Sequence, residues 1–259
     1  MLTPGAVANR GAELARAFVD SVTLGAGQFC TKPGLLFLPA GHGLGPALAA
    51  ALAAAPLGPL LGARIKAGFE HTAAALAAAP GVRAIVPPAE VDSGVGYRVA
   101  PALLQVAAAD LVAHPAELLT ECFGPAAVVV EYGSTDELTA ALDVVPGSLA
   151  ATLHAEPGPE AALARDLLDR LARRAGRVVF AGWPTGVAVT WAQQHGGPWP
   201  ATTAPLSTSV GVTAVRRFQR PVAYQNLPDA LLPEPLQDAN PLGLPRRLDG
   251  QLSTAPVRR

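Results

Sequence analysis

Apolar and polar positions along this chain of 259 residues follow two periods, and each change of period marks a change of element. From Ala8 to Leu24, Gly11, Leu14, Phe18 and Val22 recur at helical spacing while Arg10, Glu13, Arg16 and Asp20 fall largely elsewhere, which predicts an amphipathic helix. Leu35-Leu36-Phe37-Leu38, a continuous apolar run bounded by glycine and proline, reads as a buried parallel strand. Alanine-rich stretches over 46–55 and 63–79 favour helix, are separated by Pro56, Gly58 and Pro59, and stop at Pro80-Gly81. Strands are expected over 82–86, 99–107 and from Ala126 to Glu131, with a helical turn over 110–119. The alternation continues as helix 136–142, strand 148–153, helix 159–172 and strand 177–180. Such a succession implies an α/β layered fold with a mainly parallel sheet flanked by helices.

Beyond Phe180 the chain turns to Gly, Pro, Trp and Thr, in Ala181-Gly182-Trp183-Pro184-Thr185-Gly186 and again from His195 to Thr203. Long loops carrying tryptophan and proline are expected to be ordered and functional. A helix near 209–217, a strand over Arg220 to Gln225 and an extended arm after Pro228 complete the reading. It divides the chain into a main domain over 1–205 and a C-terminal helix, strand and tail over 206–259.

Half of the residues are hydrophobic and 15% are charged, which excludes a disordered chain and provides for a real core. A net charge of −1 without a basic block removes the electrostatic case for nucleic acid or an anionic membrane surface, leaving a small molecule as the expected partner. No apolar run is long enough to span a bilayer and no tripartite leader opens the sequence, so a soluble, cytoplasmic protein is expected. Two cysteines without CxxC spacing and five scattered histidines predict neither a disulfide framework nor a metal site. The glycine-rich Gly41-His42-Gly43-Leu44-Gly45 has no phosphate-loop spacing and reads as a turn.

The best clue to chemistry is Cys30, set in Gly25-Ala26-Gly27-Gln28-Phe29-Cys30-Thr31-Lys32-Pro33-Gly34. A thiol attacks as its thiolate, so a cysteine of ordinary pKa near ~8.5 needs an environment or a base that takes its proton. Exposed backbone amides in a glycine-rich loop suit that role, whereas an arbitrary cysteine is more often a small buried hydrophobe. His195 is open to three readings: a substrate-pocket residue, the base of a Cys-His hydrolase, or an ordinary loop histidine, the last being favoured. Glu121 by itself reads as a solvated carboxylate and Phe123 as a core aromatic.

Read whole, Gly27-Gln28-Phe29-Cys30-Thr31-Lys32-Pro33-Gly34 resembles the nucleophile loop of aldehyde dehydrogenases. Glu121-Cys122-Phe123-Gly124-Pro125 is similar to that family's Glu-x-Phe-Gly-Pro motif. Gly182-Trp183-Pro184-Thr185-Gly186, His195-Gly196-Gly197-Pro198 and Arg220-Pro221-Val222-Ala223-Tyr224-Gln225-Asn226 are similar to the C-terminal signature of its NADP-dependent 2-oxoglutarate semialdehyde branch. The resemblance implies that Cys30 attacks an aldehyde to give a thiohemiacetal and then a thioester, with NADP or NAD as hydride acceptor. It assigns Glu121 and Phe123 to the nicotinamide end of the cofactor, Phe29 and Trp183 to the substrate channel, and Cys122 to no role. It covers the C-terminal catalytic half of the family alone, the Rossmann-type domain and the general-base glutamate lying outside it. Partners implied are an aldehyde substrate and either further copies of the chain or a complementing N-terminal half. A thiol esterase that needs no cofactor and a non-catalytic association partner are the alternatives. Ala181 stands where the family usually has asparagine.

Overall fold

Nine residues of α1 (Pro4–Thr23) are buried, and they gather on the stripe that the sequence period picks out, including Leu14, Phe18 and Val22. The computed structural model describes residues 1–56, 58–91 and 94–257. Thr3 Oγ1 caps α1 by accepting from Ala6 N at 3.4 Å. Glu160 adds a carboxylate at the same end, taking hydrogen bonds from Gly5 N at 2.8 Å and Thr3 Oγ1 at 2.5 Å. A negative charge there complements the unpaired N–H groups and the helix dipole.

The elements that follow are β1 (Leu35–Pro39), α2 (Gly45–Ala54), α3 (Ala63–Ala77), β2 (Arg83–Val86), β3 (Ala102–Ala107), α4 (Ala108–Ala113) and α5 (Pro115–Leu118). Next come β4 (Ala126–Tyr132), α6 (Thr135–Val144), β5 (Ser148–Leu153), α7 (Ala161–Ala172) and β6 (Ala175–Phe180), and near the end β7 (Arg246–Leu248) and β8 (Gln251–Ser253). The main sheet has the order β1-β4-β3-β2, parallel throughout except for β2, which runs antiparallel to β3 at the edge. Alternate residues of its central strands enter two separate cores. Leu36, Leu38, Leu103 and Val129 pack with Leu14, Phe18 and Leu48 on one face. Phe37, Leu104, Val128 and Val130 pack with Phe69, Leu111 and Leu138 on the other. A sheet covered on both faces is why the strands read as continuous apolar runs. Each fully buried Leu or Phe contributes roughly 1.5–3 kcal/mol. A smaller parallel pair, β5 with β6, is bridged by α7, whose Ala164, Leu167 and Leu171 are buried.

The chain divides into two compact units, Met1–Arg217 and Phe218–Arg259. Within the second, Asn240 is the one buried residue among those described. Its amide donates to Leu244 O at 3.0 Å and Thr254 O at 2.8 Å, and Arg246 donates to Gln237 O at 2.6 Å. Backbone-directed hydrogen bonds, not an apolar core, hold this unit. Three expectations are corrected here. Arg220 to Gln225 forms no strand, because a strand needs a partner and the described residues provide none, while Pro221 also lacks a donor. The tail after Pro228 is not a simple extended arm: it folds into short 3₁₀ turns and the antiparallel β7–β8 hairpin, closed by Asp249 at φ 50° and Gly250 at φ 84°. The helix expected near 209–217 is a 3₁₀ segment, Val212–Phe218.

Candidate active site

The nucleophile loop begins where α1 ends. Gly25, Ala26 and Gly27 all take left-handed conformations, with φ of 58°, 55° and 70°, and swing the chain away from the helix axis. Lys32 N then donates to Phe29 O at 3.0 Å, closing a tight turn with Cys30 and Thr31 at its tip. Cys30 is exposed. Its Sγ lies 3.2 Å from His195 Nε2, a contact between residues 165 positions apart.

His195 is itself buried, at 7% exposure. Its backbone N–H donates to Thr208 Oγ1 at 2.8 Å and its carbonyl accepts from Ser209 N at 3.0 Å, which fixes the loop that carries the ring. Burial, and secondarily the charge of Arg177, hold the imidazole below the usual histidine value of 6.5. The ring is therefore neutral at neutral pH, and Nε2 is free to exchange a proton with Sγ. Nδ1 is buried without a partner among the described residues.

Arg177, from β6, donates to Gly186 O at 2.8 Å and to Pro184 O, pinning the turn after Trp183. Thr185 in that turn donates to Ser21 O at 3.0 Å and stands 3.3 Å from Thr31 O, so one hydroxyl joins α1 to the residue after the nucleophile.

The two motifs that are remote in sequence are docked. A Cβ on Gly27 would run into the backbone of Gly124 and Pro125, so only glycine permits this approach. Lys32 Nζ reaches across to donate to Cys122 O at 3.0 Å and Ala126 O at 2.9 Å. Cys122 is buried against Phe69 O, and burial pushes its thiol up to about 11, which suits its reading as a bystander.

A cavity of about 580 Å³ is lined by Cys30, Lys32, Glu121, Ser148, Arg174 and Trp183, among others. A smaller one of about 220 Å³ is lined by Phe69, Glu121 and Phe123. Glu121 is exposed and faces both. Trp183 packs on Phe18 and His154, with ring centroids at 5.2 and 4.5 Å, and adds to the wall of the larger cavity. Phe29 is outside that lining, 43% exposed, with its ring over Gly25. An accessible carboxylate beside a half-buried aromatic, next to the thiol cavity, fits the diol and ring of a nicotinamide riboside. The Gly41–Gly45 segment is a turn, its Leu44 N–H donating to His42 Nδ1 at 2.8 Å. Among the described residues no group of three or more His, Cys, Asp or Glu could hold a metal ion, and no helix is long and apolar enough to cross a membrane.

Sequence reasoning found Cys30 and the Glu121–Pro125 turn. It carried His195 as the base of a Cys-His pair only as one of three readings and favoured an ordinary loop histidine, and it gave no role to Lys32, Arg177 or Thr185. Lys32 was in plain view two positions after the cysteine, whereas the other three act through contacts that no local spacing encodes.

No protein-family model matches the chain. It is 45% identical over 256 residues to the alpha-ketoglutaric semialdehyde dehydrogenase 2 of Azospirillum brasilense, covering 97% of this chain and 48% of the relative. It is 36% identical over 256 residues to the alpha-ketoglutaric semialdehyde dehydrogenase of Acinetobacter baylyi, with 98% of this chain and 48% of the relative covered. The chain thus spans about half the length of the curated relatives it matches. Among solved structures, the aldehyde dehydrogenase C of Pseudomonas syringae, in complex with NAD+ and octanal, superposes with a TM-score of 0.65 at 18% identity, over 82% of this chain and 43% of that one. At that identity the likeness speaks for the fold alone. Sequence relatives, fold and the docking of the two motifs agree: the chain belongs to the aldehyde dehydrogenase family, an oxidoreductase family, and corresponds to its C-terminal half.

Proposed function

We propose that this chain carries the nucleophile of an NAD(P)-dependent aldehyde dehydrogenase acting on a semialdehyde such as 2-oxoglutarate semialdehyde. The observation that carries the reading is Cys30 Sγ at 3.2 Å from His195 Nε2, on the wall of the cavity that Glu121 also lines. Cys30 Sγ adds to the aldehyde carbon, and its proton passes through His195 Nε2 to the former carbonyl oxygen, giving a thiohemiacetal. The Cys30 backbone N–H helps to hold that oxygen while it is anionic. Hydride acceptance is the chemistry a nicotinamide cofactor would supply when bound; with the hydroxyl proton of the thiohemiacetal passing to His195 Nε2, it would leave a thioester on Cys30. Water then adds to the thioester, His195 Nε2 accepting its proton, releasing the carboxylic acid and restoring the thiol. Glu121 would accept from the ribose hydroxyls of such a cofactor and Phe123 would limit the position of its ring. Trp183 walls the substrate cavity and Phe29 guards its approach.

The relatives named as alpha-ketoglutaric semialdehyde dehydrogenases support the substrate class. Two free cysteines suit a reducing cytoplasm. The exposed Arg220 to Asn226 segment, without a strand partner among the described residues, suits pairing with another copy or with a complementing half, so we assign association to 206–259 and catalysis to 1–205. The test is oxidation of 2-oxoglutarate semialdehyde with NADP and with NAD, by the chain alone and fused behind the N-terminal half of the Azospirillum relative. Turnover should appear in the fusion and vanish in its Cys30→Ser variant. Equal turnover in that variant would refute the assignment.

The Cys30–His195 contact also favours a second reading, a thiol esterase that needs no cofactor. Hydrolysis of p-nitrophenyl acetate by the chain alone, lost in Cys30→Ser, would support it, and an unchanged rate in that variant would end it.

A further inference from the structure

Lys32 is the side chain that the proposed reaction leaves without work. It lies in the nucleophile turn two residues after Cys30, and both residues line the larger cavity. An ammonium has three N–H donors, and two of those on Lys32 go to the carbonyls of Cys122 and Ala126. Among the described residues no carboxylate stands within ion-pair distance of it. Glu121 attracts it from farther off. The other cation on the cavity wall, Arg174, is already engaged, donating to Asp143 Oδ1 at 2.9 Å and Val145 O at 3.0 Å.

From this placement we infer that Lys32 is the anchor for a carboxylate on the substrate of Cys30, so that the cavity selects aldehydes bearing an acid group over neutral ones. This rests on Cys30 being the nucleophile. Two carbonyls hold the ammonium in position without neutralising it, and a half-buried positive charge on a cavity wall attracts an anion more strongly than one in bulk water. Burial works against the charge on Lys32, and an arriving carboxylate restores what burial removes. The carbonyl of the same molecule then lies toward Cys30. A phosphate would satisfy the same donor, so the test has to separate the two oxyanions.

Alkylation of Cys30 reads the charge directly and needs no cofactor. The rate with iodoacetate, which carries a carboxylate, is compared with the rate with neutral iodoacetamide, by mass spectrometry on the whole chain. The ratio should exceed that of a free thiol, fall by roughly tenfold in Lys32→Met, and be retained in Lys32→Arg. Wild-type protein gives a second measurement that does not depend on the variant folding. Glutarate should slow iodoacetamide labelling, while its dimethyl ester and inorganic phosphate at the same concentration should not. A ratio unchanged in a folded Lys32→Met, or protection by the ester equal to that by glutarate, overturns the anchor alone. Protection by phosphate equal to that by glutarate overturns the assignment to a carboxylate. Failure of both reagents to label Cys30 removes the reachable nucleophile and the anchor with it.

Discussion

Cys30 and His195 are opposed on two loops whose backbones are fastened independently, one by the Phe29–Lys32 turn and the other by Thr208 and Ser209. Because the ring is held below 6.5, His195 accepts a proton over the whole range above that value and loses this capacity only on the acid side. The acid limb of Cys30-dependent ester cleavage should therefore lie below pH 6.5, and a limb above it would contradict a buried neutral imidazole. His195→Ala should slow that cleavage by roughly 100-fold to 10,000-fold, the usual range for a positioned base. Ala181 offers a separate test at a single residue. Its φ of 54° is a left-handed conformation that an alanine adopts at a cost, and asparagine, the family's usual residue there, tolerates it better. Ala181→Asn or Ala181→Gly should raise stability by about 1 kcal/mol, read as a higher urea midpoint.

At the scale of elements, the decisive contact is between the turn that follows α1 and the turn that precedes β4. Gly27 permits the approach and Lys32 fastens it. Gly27→Ala meets two penalties, a left-handed backbone and a collision with the Gly124–Pro125 peptide. Together these should cost roughly 2–4 kcal/mol and open the thiol cavity, which urea denaturation and the Cys30 alkylation rate would show. Local spacing rules are of no help here, since the reason for glycine lies in a partner almost a hundred residues away. The strand expected from Arg220 to Gln225 makes the complementary point. Local sequence can propose an extended segment, but the ladder that makes it a strand is supplied by whatever lies beside it.

Across the whole molecule, His154 links folding to pH. Both of its ring nitrogens are buried without a partner among the described residues, and burial is the main cause that lowers it from 6.5 to about 4. The unfolded chain then binds a proton that the folded chain refuses, so the stabilisation is complete above pH 6.5 and is lost as pH falls toward 4. The loss should approach roughly 3 kcal/mol, and His154→Phe should flatten the profile. Association is a second expectation at this scale. Trp191, Trp199, Leu206 and Phe218 are exposed at 76%, 74%, 101% and 89%. Large apolar side chains left in water favour contact with other surfaces, so light scattering should show mass rising with concentration. A mass that stays at 26.3 kDa would count against it.

The sequence by itself determined the order of strands and helices through β6, because buried parallel strands and amphipathic helices impress their periods locally. It also singled out Cys30 and the Glu121–Pro125 turn, whose glycines, acid and aromatic sit within a few residues of one another. Only the tertiary structure decided that His195 faces the thiol, that Thr185 and Arg177 brace the loop around it, and that Phe29 stands outside the cavity. These are facts of approach between segments far apart along the chain, set by the packing of both faces of the sheet. Chain spacing does not record them, and a side chain's neighbours exist only once the cores have closed.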